Sequence, residues 1–261
     1  MTARVATTRA SRGSAPLAAY VLHRYDWSES SLILDLFTRE QGRVAVAAKG
    51  AKRPYSQLRA VLLPFQRIHV NLGRAERDEA SSDVQTLRGA EWAGGAAMLT
   101  GAALFSGFYL NELLMKLLAR HDPHPALFDT YAATLPTLAE TDDVAVEAAL
   151  RAFELTLLQL VGVLPDLSVD TQTQEPVQPG KRYALMAEAG VTAARAEEDA
   201  LSGEALVGLQ AALEHGSLPA LQQACRPGLA ALKTRLRGVI QHHLGSATLR
   251  TRRVMMELQG L

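Results

Sequence analysis

At 261 residues the chain has room for one large domain or two ordinary ones and is too long for a disulfide-stapled scaffold; its single cysteine, Cys225, allows neither an internal disulfide nor a cysteine-based zinc site. An apolar fraction of 48% with a mean hydropathy near zero excludes both a wholly disordered chain and a polytopic membrane protein. The formal net charge of zero is segregated, because residues 1–90 carry 14 Lys/Arg against 8 Asp/Glu, residues 91–222 carry 6 against 18, and residues 223–261 carry 7 against 1; such separation creates a directed field that attracts a polyanion.

Residues 1–16 hold Arg4, Arg9 and Arg12 among small polar residues with no acid, which reads as a disordered basic tail. The composition is also that of a transit peptide, but no apolar face accompanies the arginines. From 17 to 91 the signal is β. Ala19–Arg24, Ser31–Thr38 and Arg43–Lys49 predict three strands in a meander, with residues 39–42 as a hairpin connection whose Gly42 can take positive φ. Phe65–Leu72 alternates, placing Gln66, Ile68, Val70 and Leu72 on one face, and Val84–Arg88 makes a fifth strand. Five short strands in so little chain predict a small closed barrel, since an open sheet would leave edges exposed; an OB-like barrel is one member of that class. Trp27 is read as a plug for that barrel rather than as a stacking platform.

After Glu91 the period becomes helical, and 92–261 reads as a helical domain. Ala93–Arg120 predicts one long or two abutting helices interrupted at Gly101 and Gly107, ending at His121-Asp122-Pro123. The most apolar run begins near Ala96, but Asn111, Glu112 and Lys116 interrupt it before it reaches the roughly 18 residues of a membrane span. Val144–Leu164 is strongly amphipathic, with Asp142 and Asp143 where acids favour a helix start and Pro165 as its end. The polar, proline-bearing 166–180 stretch reads as loop rather than core, and 166–199 as an irregular insertion. Further helical patterns lie at Gly203–Glu214, Leu218–Ala224, Gly228–Leu244 and Thr248–Leu258.

No catalytic constellation stands out. Gly180-Lys181 is not a phosphate loop, because Glu175 stands where the first glycine belongs and Arg182 where Ser or Thr belongs. His121 and His124 have no further nominated ligands, and Cys225 has no partnering His. The expectation is a cytoplasmic non-enzyme without metal or cofactor. Nucleic-acid chemistry fits better. Arg39, Arg43, Lys49, Lys52, Arg53, Arg59 and Arg67 face the single acid Glu40 across that stretch and are interleaved with Tyr55 and Phe65. Cations that neutralise phosphates beside rings that stack on bases are the usual design of a single-strand groove. Lys233, Arg235, Arg237, Arg250, Arg252 and Arg253 form a second candidate patch, so that two strands have separate sites.

The segments Tyr20-Val21-Leu22-His23-Arg24, Trp27 through Leu34, Phe37-Thr38 with Gly42-Arg43, Ala48 through Arg53, Leu63-Pro64-Phe65 and Leu87 through Glu91 resemble the N-terminal barrel of the bacterial RecO recombination mediators. Gly107 through Leu114 and Leu150 through Leu155 resemble that family's helical domain; only 166–199 matches poorly. The resemblance implies an α+β chain of two domains, a five-stranded OB-fold β-barrel followed by an all-α domain. It also implies binding of single- and double-stranded DNA, annealing of complementary strands, contact with the acidic tail of single-stranded DNA-binding protein, and loading of RecA together with RecR. Many members carry a four-cysteine zinc module, but 166–199 holds no cysteine, which points to the zinc-less branch. The tail's receptor should be an apolar groove with a cation at its lip. The resemblance assigns that role to Arg151, and Leu150, Phe153, Leu155, Leu157 and Leu158 beside it are the candidate walls. Pattern alone gives Arg151 ordinary surface ion pairs to Glu147 and Glu154. The alternative function is a protein adaptor that does not bind DNA and works through the acidic helical half.

Overall fold

The run LAAYVLHRYD of strand β1 (Leu17–Asp26) is apolar at consecutive positions because both of its faces are covered. Ala19 and Val21 point into a barrel with Leu34, Leu36, Val44, Val46, Ile68 and Val70, while Ala18, Tyr20 and Leu22 join a second core shared with helices. The computed structural model describes residues 15–73, 84–95, 98–195, 199–245 and 249–259; most of the expected basic tail lies outside them.

The barrel closes in the order β1-β2-β3-β5-β4, with β2 at Leu32–Thr38, β3 at Gly42–Ala48, β4 at Gln66–Gly73 and β5 at Val84–Gly95. β1 pairs antiparallel with both β2 and β4, which removes the free edges, and the β3–β5 contact is parallel. A one-turn helix, α1 (Leu58–Val61), bridges β3 to β4. The five expected strands are present, with β5 running seven residues further than the sequence suggested because its second half pairs with the start of β4.

The helices are α2 (Gly101–Leu117), α3 (Pro125–Thr137), α4 (Asp143–Leu160), α5 (Gly203–His215), α6 (Leu218–Cys225), α7 (Leu229–His243) and α8 (Arg250–Gln259). α2 starts at Gly101 rather than at 93, since 93–95 belong to β5. α4 begins on Asp142, whose side chain accepts from the Val144 N–H. It ends four residues before the expected stop, because Gly162 turns left-handed (φ 75°) and Val163 N–H reaches back to the Leu158 carbonyl. The segment expected as an irregular insertion holds two strands of a three-stranded sheet instead: β6 (Arg182–Met186) lies between β7 (Gly190–Ala193) and β8 (Leu201–Ser202), the last just beyond the segment. Leu167, Val177, Tyr183, Leu185 and Val191 are buried in the main core. Polar spacing hid these few apolar anchors.

Barrel and helices meet over the outward face of β1–β3. Asp35 is buried and takes a bidentate pair from Arg43 (2.9 and 3.1 Å), whose Nη1 also donates to the carbonyls of Met115 and Leu118 at the α2 C-terminus. Those carbonyls belong to the last turn, which has no internal donors left. β1 bulges at Leu22, leaving its carbonyl to accept from Asn111 Nδ2 (3.0 Å), and Asn111 Oδ1 accepts from the Tyr131 hydroxyl (2.6 Å). Phe65 packs edge-on against Phe108 beside Gly107, where a Cβ would sit 2.8 Å from the Phe65 ring.

Gly42 tests the closeness of this junction. Its φ is +68°, and a Cβ there would stand 2.0 Å from the Asp122 carbonyl oxygen. Gly50 has a similar φ of +74° but only ordinary contacts. Gly42→Ala should cost at least about 2 kcal/mol in urea unfolding, against about 1 kcal/mol for Gly50→Ala, which carries the backbone penalty alone.

Candidate nucleic-acid interface

Two loops at one end of the barrel are fastened to each other. The first, residues 27–31, joins β1 to β2; the second, residues 49–57, joins β3 to α1. Lys52 N–H donates to the Ser30 carbonyl (2.9 Å), Gly50 N–H to Ser31 Oγ (3.3 Å), and Lys52 Nζ to the Ser28 carbonyl (3.0 Å) while pairing with Asp26 at 2.9 Å. Tight turns, Arg53 N–H to Gly50 O and Ser56 N–H to Arg53 O, keep the second loop compact. The pair of loops presents Tyr55, which is 99% exposed, and Trp27, which is 54% exposed, beside exposed Lys49 and Arg53. Trp27 therefore does not plug the barrel; aliphatic side chains from the strands already fill it. Tyr25 is also half-exposed, edge-on to His23 at 4.4 Å. Arg59 lies exposed on α1.

The remaining cations of the expected groove are elsewhere. Arg39 makes a bidentate pair with Asp129 of α3 (2.9 and 2.8 Å), which holds the Asp129 carboxyl below the usual carboxylate range. Arg43 is committed to Asp35. The Arg67 guanidinium lies 6.0 Å from the centre of the Phe128 ring, with its Nε buried. All three contact the helical half: the Arg43 side chain is only 14% exposed and the Arg67 Nε is buried, whereas Arg39 keeps 43% of its side chain exposed at the rim. Lys52, too, is mainly a fastener between loops.

Residues 16–94 match the family model described as Recombination protein O N terminal, and residues 98–253 match Recombination protein O C terminal. The chain belongs to the RecO family. Similar proteins named DNA repair protein RecO include one from a Polaromonas species, 51% identical over 93% of this chain and 96% of its own, and one from Acidovorax ebreus, 50% identical over 97% of this chain and all of its own. A third, from Albidiferax ferrireducens, is 46% identical over 93% of this chain and 95% of its own. No helix among the described residues is long and apolar enough to cross a membrane, and no group of three or more His, Cys, Asp or Glu there stands close enough to hold a metal ion.

The C-terminal cations divide in the same way as those of the barrel. Lys233 Nζ is held by Glu147 of α4 (2.6 Å), and Arg235 Nε donates to the Asp199 carbonyl (2.5 Å). Arg237 on α7 and Arg250 and Arg253 on α8 are exposed, with Arg253 Nε 3.9 Å from Glu257; the side chain of Arg252 lies outside the described residues.

The α4 residues that the RecO resemblance nominates for a partner's tail are interior. Phe153, Leu155, Leu157 and Leu158 are fully buried, and Leu150 is 8% exposed, so they form core and not the wall of an open groove. Arg151 is 5% exposed and donates to Glu154 Oε1 at 2.6 Å, an oxygen that also accepts from the Tyr109 hydroxyl at 2.6 Å. The surface ion pair expected from spacing is thus a buried one. Burial pushes the Glu154 carboxyl upward against the pull of Arg151, and pushes the neighbouring Cys225 thiol up to about 12, which keeps it protonated and unreactive. Open apolar surface lies instead in a groove of about 480 Å³ between α3, α4, α5 and α6, lined by Ala126, Ala133, Leu160, Leu213, Leu218 and Leu221 with Asp129 at its edge. The groove carries no local sequence signal, and the exposure of Trp27 carries only a faint one, the polar run Ser28-Glu29-Ser30-Ser31 that follows it.

Arg151→Ala should cost roughly 3 kcal/mol in urea unfolding at neutral pH, because it leaves Glu154 buried without its countercharge. A raised carboxyl favours its neutral form, so the deficit should shrink as pH falls and Glu154 takes up a proton. Arg151→Met with Glu154→Gln, which keeps an acceptor for Tyr109, should recover most of the loss.

Proposed function

We propose that this chain is a non-catalytic DNA-annealing and recombination-mediator protein. Membership of the RecO family supports a role in DNA repair and recombination. In this reading it binds single- and double-stranded DNA, pairs complementary strands, engages the C-terminal tail of single-stranded DNA-binding protein, and acts with RecR to load RecA. The observation that carries the reading is the pair of fastened loops bearing Trp27, Tyr55, Lys49 and Arg53. Antiparallel pairing puts these loops at the opposite end of β1–β3 from the 39–41 turn, which the helical half grips through Gly42 and Arg39. A strand can therefore reach them without displacing a helix.

Lys49 and Arg53 neutralise phosphates and release counterions, while rings already out of the core accept unpaired bases at little cost in ordering. Stacking of this kind is tolerant of base identity, as annealing of arbitrary sequences requires. A duplex keeps its bases stacked inside, so it relies on cations alone; exposed Arg237, Arg250 and Arg253 supply a second contact for the other strand or for duplex.

Fluorescence anisotropy with labelled oligonucleotides at several salt concentrations tests this. Trp27→Ala and Tyr55→Ala should each weaken single-strand binding by roughly tenfold, in line with stacking worth about 1–3 kcal/mol per base, and leave duplex binding nearly unchanged. Arg53→Glu should weaken both and reduce the salt slope by about one. Arg67→Ala should lower stability instead of the salt slope. Affinity that is indifferent to salt and to all of the loop variants would overturn the reading in favour of a protein adaptor.

A further inference from the structure

Helix α8 starts on a buried carboxylate that belongs to another helix. Glu112, in the second half of α2, is 5% exposed, and its two oxygens take three hydrogen bonds from the first turn of α8. Oε1 accepts from the Arg250 N–H (2.8 Å), and Oε2 accepts from the Thr251 N–H (2.9 Å) and the Thr251 hydroxyl (2.7 Å). Lys116 Nζ, one turn further along α2, stands 4.0 Å from Oε1. The leading amides of a helix have no internal acceptors and sit at the positive end of its dipole, so a carboxylate there satisfies both needs at once. A side chain from the same segment usually does this; here it comes from 138 residues away.

α8 needs tertiary contacts to persist. Ten residues fall short of the roughly 12–15 at which a helix persists alone in water. The exposed cations on the helix, Arg250 and Arg253, are opposed among its described side chains by Glu257 alone. An acid in the interior of α2 is otherwise a cost to the packed helices around it.

We propose that Glu112 is a positioning residue for DNA binding: by clamping the first turn of α8 it fixes Arg250 and Arg253 in place, so that their share of the second DNA contact exists only while α8 is docked. This rests on the reading of those arginines as a DNA contact. The test uses the full chain, with hydrogen exchange of the 250–259 amides and anisotropy of a labelled duplex measured on the same samples. Thr251→Val removes one donor without altering α2, and Glu112→Gln keeps an acceptor without the charge; Glu112→Ala removes both. Exchange of α8 should quicken in the order Thr251→Val, Glu112→Gln, Glu112→Ala, reaching about tenfold or more in the last. Duplex affinity and its salt slope should fall in the same order, towards the values of Arg250→Ala/Arg253→Ala, while the barrel-loop variant Arg53→Glu adds independently. Unchanged exchange overturns the clamp. Faster exchange with unchanged duplex binding, when Arg250→Ala/Arg253→Ala does weaken it, overturns the positioning role. If the double arginine variant itself binds normally, the reading of Arg250 and Arg253 as a DNA contact fails, and the proposal fails with it even though the barrel loops remain a DNA site.

Discussion

The arrangement of the molecule depends on one buried carboxylate, Asp35, and what it holds. A carboxylate on the outward face of a barrel strand would normally face water. Here it is 1% exposed, because the helical half lies over it, and it is tolerable there because Arg43 meets both of its oxygens through Nε and Nη2. Arg43 in turn closes the last turn of α2, and Arg120 adds a second cation at 3.6 Å from Asp35. Such a pair contributes little net stability once its desolvation is counted, but it admits only one relative placement of barrel and helix, since any other leaves a charge stranded. The apolar face around it, Tyr20, Leu22, Phe37 and Phe65 against Phe128 and Tyr131, supplies the adhesion.

That placement sorts the positive charge. Of the cations gathered between positions 39 and 67, Arg39, Arg43 and Arg67 contact the helical half, Lys52 ties the far loops together, and Arg53 and Arg59 stand exposed. A linear count treats Arg43 and Arg53 as equivalent, yet one is committed to a carboxylate and two carbonyls, while no side-chain hydrogen bond or ion pair holds the other among the described residues. The same division recurs at the C-terminus between Lys233 and Arg237. The functional surface is accordingly smaller than composition suggests, and aromatic rings carry more of it.

The barrel was legible because its strands alternate or run apolar between clear turns, and closure follows from the need to pair edges. Helices were legible by period, and the quoted motifs carried the family. What was not legible depends on distant partners. Trp27 has the same local pattern whether it fills a barrel or hangs off a loop; the difference is made by Leu34, Val46, Ile68 and their neighbours having already filled the interior. Arg151 has i−4 and i+3 acids either way, and only the packing of α4 against its neighbours turns a surface pair into a buried one. The sheet at 182–202 rests on one four-residue apolar run, Tyr183–Met186, with Val191 and Leu201 from its neighbours, and strands this short give too little periodicity to read. Glu112 was noticed only as an interruption of an apolar run, and its role lies in a helix more than a hundred residues later.

The core shared between Ala18, Tyr20, Leu22, Phe37 and Phe65 of the barrel and the helices that follow has a consequence for how the chain comes apart. Two topological domains with separate interiors can melt in separate steps, whereas here one side of the first is the foundation of the second. Severing the chain after β5 would bare a sticky aromatic wall, not liberate an autonomous module, and heat should dismantle both halves in a single cooperative transition.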